Sequence, residues 1–210
     1  MLMNISKFTH ACVVLEKNNQ SLVIDPGGWS QNLQIPENVV GIVVTHEHAD
    51  HFDLANLERI LATNSEIYIY THVDIIAQLG ELSNRGVAVS AGQELSVGDF
   101  VIKFTGGSHA TIHPDYPVCA NLGVLVDSGD FYYPGDSFAS PYTPVSTLAV
   151  PAAAPWLKIS EAMDFVKSVR PQKCFPTHNA VLSAEGRSVH YAWLEKACQT
   201  VDAEFMVLDD

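Results

Sequence analysis

Basic residues are scarce in this chain. Lys and Arg number 11 against 24 Asp and Glu, a formal net charge of −13 over 210 residues. No two basic residues are adjacent. A nucleic-acid partner needs a cationic surface to replace the counterions of its phosphates, so the composition argues against one. Small anionic substrates stay open, because a bound dication reverses the local field. Cysteines are few as well. Cys12, Cys119, Cys174 and Cys198 share no C-x-x-C spacing, and their apolar contexts point to buried, reduced thiols. Long apolar runs are missing: no stretch reaches the roughly 20 residues of a membrane span. Residues 1–7 show no basic segment leading into an apolar run. The expectation is a cytoplasmic protein with no membrane partner. Low-complexity segments, long linkers and short repeats are absent too. With 47% hydrophobic residues, one domain over 1–210 is expected to bury a substantial core.

The chain alternates between strand and helix patterns. Residues 11–16 and 21–24 are β-rich, separated by the polar hairpin loop Lys17-Asn18-Asn19-Gln20. Residues 39–45, VVGIVVT, form the near-continuous apolar run of a strand buried on both faces. Residues 54–62 place apolar side chains at helical spacing behind Asp53 as N-cap. Strands follow at 66–70, 87–89, 100–105, 148–150, 173–175 and 204–208, with a hairpin at 121–126 and 131–133. Helices are expected at 72–83, 159–169 and 184–200. Blocks of strands with helices between them fit a layered α/β arrangement.

The strongest signal is Thr45-His46-Glu47-His48-Ala49-Asp50-His51. It sets four potential metal ligands within six residues, directly after a buried strand. Imidazole and carboxylate suit zinc and similar ions. His46 and His48, as alternate residues of an extended segment, point the same way; Asp50 and His51, past the bend, can face a second ion. Two ions need more ligands than one loop supplies. His109 after Gly106-Gly107-Ser108, Asp136 in Pro134-Gly135-Asp136-Ser137, and His178 in Pro176-Thr177-His178 all stand just past strands. His113 is the alternative to His109, which is preferred because it directly follows the strand-ending glycines. His72 and His190 fall in helical segments and read as structural.

In this order, H-x-H-x-D-H, a histidine, Gly-Asp-Ser and Pro-Thr-His resemble the metallo-β-lactamase superfamily. Phe8-Thr9-His10, Leu22-Val23-Ile24-Asp25-Pro26 and Leu148-Ala149-Val150-Pro151 resemble its branch of predicted metal-dependent hydrolases that includes L-ascorbate-6-phosphate lactonase. The resemblance implies a four-layer αββα sandwich with metals at one edge of the two sheets. It implies His46, His48 and His109 on a first divalent metal, and Asp50, His51 and His178 on a second. Asp136 would bridge the two ions, zinc or alternatively manganese. Asp25 matches an aspartate that orients a ligand histidine. His10 matches a histidine near the site, which either touches substrate or a ligand, or is a core histidine. The stretch Ala152-Ala153-Ala154-Pro155-Trp156 is less glycine-rich than the lactonase-like branch, which points to a reshaped pocket wall.

Two dications can share one water and lower its pKa toward neutrality, which makes a hydroxide nucleophile available. Asp50 would orient it and pass its proton to the leaving group. The expected activity is hydrolysis of an ester-type bond, a lactone or phosphodiester, in a small metabolite. The alternatives are β-lactam hydrolysis, nuclease activity, iron-dependent oxygenation, and a non-catalytic metal or ligand sensor.

Overall fold

The computed structural model describes residues 3–208, so the expected span 1–210 begins and ends outside the described residues. Two sheets stack face to face. The first has six strands in sequence order: β1 (Asn4–Lys7), β2 (Val13–Lys17), β3 (Gln20–Ile24), β4 (Val39–Val43), β5 (Ile69–Thr71) and β6 (Gly86–Ala88). The second has seven: β13 (Glu204–Phe205), β12 (Lys173–Thr177), β11 (Thr147–Pro151), β10 (Phe131–Tyr133), β9 (Leu122–Val126), β8 (Phe100–Gly106) and β7 (Glu94–Val97).

Three apolar clusters fill the spaces between four layers. Between the sheets, Leu15, Leu22, Ile24 and Val43 of one face meet Phe100, Phe104, Val124 and Phe131 of the other. Outside the first sheet, Val23, Ile42 and Val44 pack under Leu57, Ile60 and Leu61 of α1 (Leu54–Leu61) and Ile75 of α2 (Val73–Ile76). Outside the second, Tyr132, Leu148 and Val150 pack under Ala162, Phe165 and Val166 of α3 (Ile159–Val169) and Leu194 of α4 (Ala184–Gln199). Both faces of β4 are thereby covered, which explains its unbroken apolar run. The architecture is the αββα sandwich. No helix among the described residues is long and apolar enough to cross a membrane.

Local chemistry sets the joints. Asn18 and Asn19 take positive φ of 49° and 59° to turn the β2–β3 hairpin, a conformation Asn tolerates. Asp53 caps α1, its carboxylate accepting the Asn56 N–H at 2.8 Å. The expected helix over 72–83 is not continuous. His72 caps the four-residue α2, and a 3₁₀ turn covers Gly80–Arg85, because Gly80 enters a left-handed conformation at φ +58°. The expected strand at 66–70 starts later, at Ile69.

The topology gathers strand ends on one edge. β3, β4 and β5 are parallel. β8 and β10 both run antiparallel to β9, so they share a direction, and β11 and β12 run parallel to β10. The two edges are stitched together where the Leu122 N–H donates to the Thr45 carbonyl at 3.0 Å.

Gly27 sits where two loops of this edge cross. A Cβ there would lie 2.0 Å from the Asp50 carbonyl oxygen and 2.4 Å from the His51 nitrogen, both backbone atoms that cannot rotate away. Gly27→Ala is expected to destabilise the fold by about 1–3 kcal/mol, the usual cost of overpacking, because it pushes on the 46–51 loop. A denaturant melt matching the parent protein would show that the loop yields freely.

Candidate metal centre

Every site residue singled out in the sequence except His10 stands just past a strand on this one edge, and His10 lies in the β1–β2 turn. Asp25 follows β3, the 46–51 loop follows β4, His109 follows β8, Asp136 follows β10 and His178 follows β12. They form two adjoining clusters. In one, His46, His48, His109 and Asp136 bring ligand atoms within 4.8 Å of one another; in the other, His10, Asp50, His51 and His178 do the same. Asp136 lies between them. Its Oδ2 is 3.4 Å from His109 Nε2 and 3.0 Å from His178 Nε2, and its Oδ1 is 3.3 Å from His51 Nε2. His113 stands outside both clusters, with its side chain 57% exposed beside Asp115.

The rings are fixed from behind. Asp25 is fully buried; its Oδ1 accepts the Thr45 N–H and its Oδ2 accepts both the Thr45 hydroxyl and His51 Nδ1–H, each at 2.7 Å. With its hydrogen committed to Asp25, the Thr45 hydroxyl accepts from His46 Nδ1–H at 3.0 Å. His109 Nδ1 donates to the Ala110 carbonyl, and His178 Nδ1 to the Ala153 carbonyl at 2.6 Å. In four rings the Nδ1 hydrogen is thus placed, and Nε2 is the nitrogen turned inward toward the centre. His10 is held the other way. The Ala180 N–H donates to its Nδ1, so its Nε2–H donates to Asp50 Oδ2 at 2.9 Å.

These contacts require backbone that few residues adopt. His10, Asp25 and His178 have φ of 74°, 50° and 56°, left-handed values without glycine. The His178 N–H donates to the His10 carbonyl at 2.9 Å, so two of the three positions brace each other. Gly135, at φ 62°, lets the chain turn so that the Asp136 N–H reaches Asn121 Oδ1 at 2.9 Å.

Charge is concentrated in the centre. Burial opposes ionisation of Asp136, but His51, His109 and His178 outweigh it and hold the carboxyl well below the usual range. Burial likewise opposes a charge on Asp50, and hydrogen bonds from His10 and His178 reverse that. The two histidines between these acids respond in kind. Against burial, Asp136 and Asp25 hold His51 well above its ordinary value, and Asp136 and Asp50 raise His178 to about 9. Burial instead drops His46 far down and His10 to about 4.

The donor set fits divalent metal. Nε2 of His46, His51 and His109 and Oδ1 of Asp136 are buried with no hydrogen-bond partner. Such orphans cost about 1–3 kcal/mol each unless something occupies their lone pairs, and imidazole with carboxylate is a hard-to-borderline set suited to zinc or manganese.

Four neighbours were not singled out as site residues from the sequence. Thr45 and Asn121 are fully buried and fix His46 and Asp136. Trp156 donates its indole N–H to Asp136 Oδ2 at 3.0 Å and packs edge-on to His109. Cys119 is half-buried with Sγ 4.0 Å from His48 Nε2, whereas Cys12, Cys174 and Cys198 are buried thiols as expected. His190 serves packing, donating to the Ala152 carbonyl.

Comparison with known proteins agrees with this fold. The family model described as β-lactamase superfamily domain matches residues 4–178. Protein Rv0786c of Mycobacterium tuberculosis is 35% identical, over 99% of this chain and 97% of its own. Among solved structures, Igni18, a metallo hydrolase of Ignicoccus hospitalis, superposes with a TM-score of 0.76 at 19% identity, covering 99% of this chain and 95% of its own. The metallo-β-lactamase fold protein YhfI of Bacillus subtilis gives 0.71 at 20% identity, over 98% and 95%. From the strand-end ligand set to the matched family model, this chain belongs to the metallo-β-lactamase superfamily.

Proposed function

We propose that this chain is a binuclear metal-dependent hydrolase acting on an ester-type bond, a lactone or a phosphodiester, in a small metabolite, as in the lactonase-like branch of the superfamily. The observation that carries the reading is the set of four buried ligand atoms left without partners around Asp136. His46, His48 and His109 would hold one ion, Asp50, His51 and His178 the other, and Asp136 would reach both. When bound, the ions supply Lewis acidity toward the electrophile and a water acidified to near neutrality. The chain supplies the rest. Asp25 keeps the His51 ring aimed inward, neutral His10 steadies the Asp50 carboxylate, and Asp50 accepts a proton from water and hands it to the leaving group.

Elemental analysis after incubation with excess zinc or manganese is expected to give two equivalents per chain, followed by turnover in a panel of lactones, phosphodiesters and β-lactams. One equivalent or fewer in solution overturns the binuclear reading. Two equivalents with no turnover anywhere in the panel would favour a sensor.

Metal loading should also release protons. His178, raised to about 9, carries a proton at pH 8 in the metal-free protein, and only a bare Nε2 can bind a cation. A group protonated in the free state weakens binding below its pKa, so apparent affinity should climb as pH rises toward the His178 value of about 9. Calorimetric titrations at pH 8 in two buffers of different ionisation heat should therefore differ, by roughly one proton per chain or more. Identical heats would mean that the ring is already bare.

A further inference from the structure

Beside the centre, the chain between β8 and β9 leaves the sheet as a flap. Its feet are tied by Gly107 N–H to the Asn121 carbonyl at 2.9 Å and His109 N–H to the Cys119 carbonyl at 3.0 Å. One foot thus carries His109 of the metal cluster; the other carries Cys119 next to His48. Between them residues 111–118 are exposed without a break. Three of these eight are large and apolar: Ile112 is 49%, Tyr116 69% and Val118 46% exposed. Pro114 and Pro117 stiffen the same segment. Apolar side chains held out on a stiff arm, beside a buried reactive centre, are placed to be covered by something that enters it.

The flap walls a cavity of about 130 Å³ that His48 and His109 line together with Ile112, Tyr116 and Val118. Glu47 is its sole carboxylate among the described residues, and no Lys or Arg lines it. The Gln78 amide donates to Glu47 and holds the carboxylate in place. Away from the ions held at the centre itself, an anionic substituent entering here would face that carboxylate with no lysine or arginine to pair with, whereas an alkyl or aryl group would meet three matching surfaces.

We infer that the flap cavity is the subsite for an uncharged, apolar substituent, so that the enzyme takes neutral esters or lactones bearing an alkyl or aryl group, and not phosphorylated ones. This rests on the metallohydrolase reading and narrows it.

The test uses metal-loaded protein and a series of straight-chain alkyl hydroxamates from acetohydroxamate upward, whose common head binds metal whatever the tail. Metal content is measured first; protein that takes up no metal overturns the metallohydrolase reading and this inference with it. With metal bound, affinity is expected to rise about three- to fourfold per methylene over the first few carbons, the value of burying a CH₂. The double variant I112S/Y116S should flatten that slope and leave acetohydroxamate affinity unchanged, which separates a lost subsite from a damaged metal centre. A tail ending in carboxylate should bind the parent at least tenfold more weakly than the alkyl tail of equal length, and Glu47→Lys should erase that penalty. A flat chain-length dependence at full metal occupancy, or equal binding of the carboxylate-ended tail, overturns the inference while leaving the metallohydrolase reading intact.

Discussion

Asp136→Ala is expected to leave at most one metal equivalent per chain and to cut turnover by more than the roughly 10–100-fold typical of losing a residue behind a ligand. Asp136 is 3% exposed, and it is the carboxylate that both histidine clusters share. Its orientation is fixed by the Trp156 indole on Oδ2 and by its own N–H on Asn121. Two dications held side by side repel, and an anion between them is what makes a second site affordable. The metal-free fold has an escape that the metal-loaded state lacks. Without Asp136, His178 loses a carboxylate oxygen 3.0 Å away, and the ring can shed its proton and become neutral. That spares most of the about 3–5 kcal/mol usually lost when one partner is stripped from a buried ion pair. The melting temperature of the metal-free variant should therefore change little, while elemental analysis and rate change together. A variant that keeps two equivalents and the parental rate would remove Asp136 from between the ions.

How much of this could be read from the chain depends on whether the information is local. The 46–51 loop is local: four candidate ligands at the end of an apolar strand identify both the strand and the chemistry. His109, Asp136 and His178 were legible because each follows a strand, and a ligand cluster elsewhere gave them a purpose. The edge strands β1 and β7 escaped notice. Asn4-Ile5-Ser6-Lys7 and Glu94-Leu95-Ser96-Val97 carry polar residues that blunt exposed edges and hide the strand pattern. The left-handed backbone of His10, Asp25 and His178 was not legible either, because the mild left-handed preference of Asp and His does not single out positions; contacts such as His178 N–H to the His10 carbonyl impose it from across the fold. Trp156 reaches Asp136 from a segment 20 residues on, with β11 between them. The altered Ala152–Trp156 stretch hinted at a change in the pocket wall, but only packing shows which atom it touches. Cys119 was expected in the core; the flap lifts it to the rim of the site.

Asp50→Asn is expected to lower turnover by about 10²–10⁴-fold, the usual value of general-base help, with little effect on folding. The structure explains why the two effects separate. Burial drives His10 down to about 4, so at neutral pH it is an uncharged ring. Its Nδ1 already accepts the Ala180 N–H, which leaves Nε2–H as the donor to Asp50 at 2.9 Å. An asparagine carbonyl oxygen can accept that same hydrogen bond, so His10 keeps its partner and packing is untouched. The amide can also still offer an oxygen to a cation. What it cannot do is take a proton. In the parent, His10 and His178 hold the Asp50 carboxyl well below the ordinary range, against the burial that opposes its charge. The measurements are metal content, thermal melts of the metal-free protein, and rate on whichever substrate the panel yields. An unchanged rate at two equivalents would make Asp50 a ligand alone. A collapsed melting temperature without metal would make the His10–Asp50 bond a fold element, and the proton acceptor would have to be sought among the other groups facing Asp136.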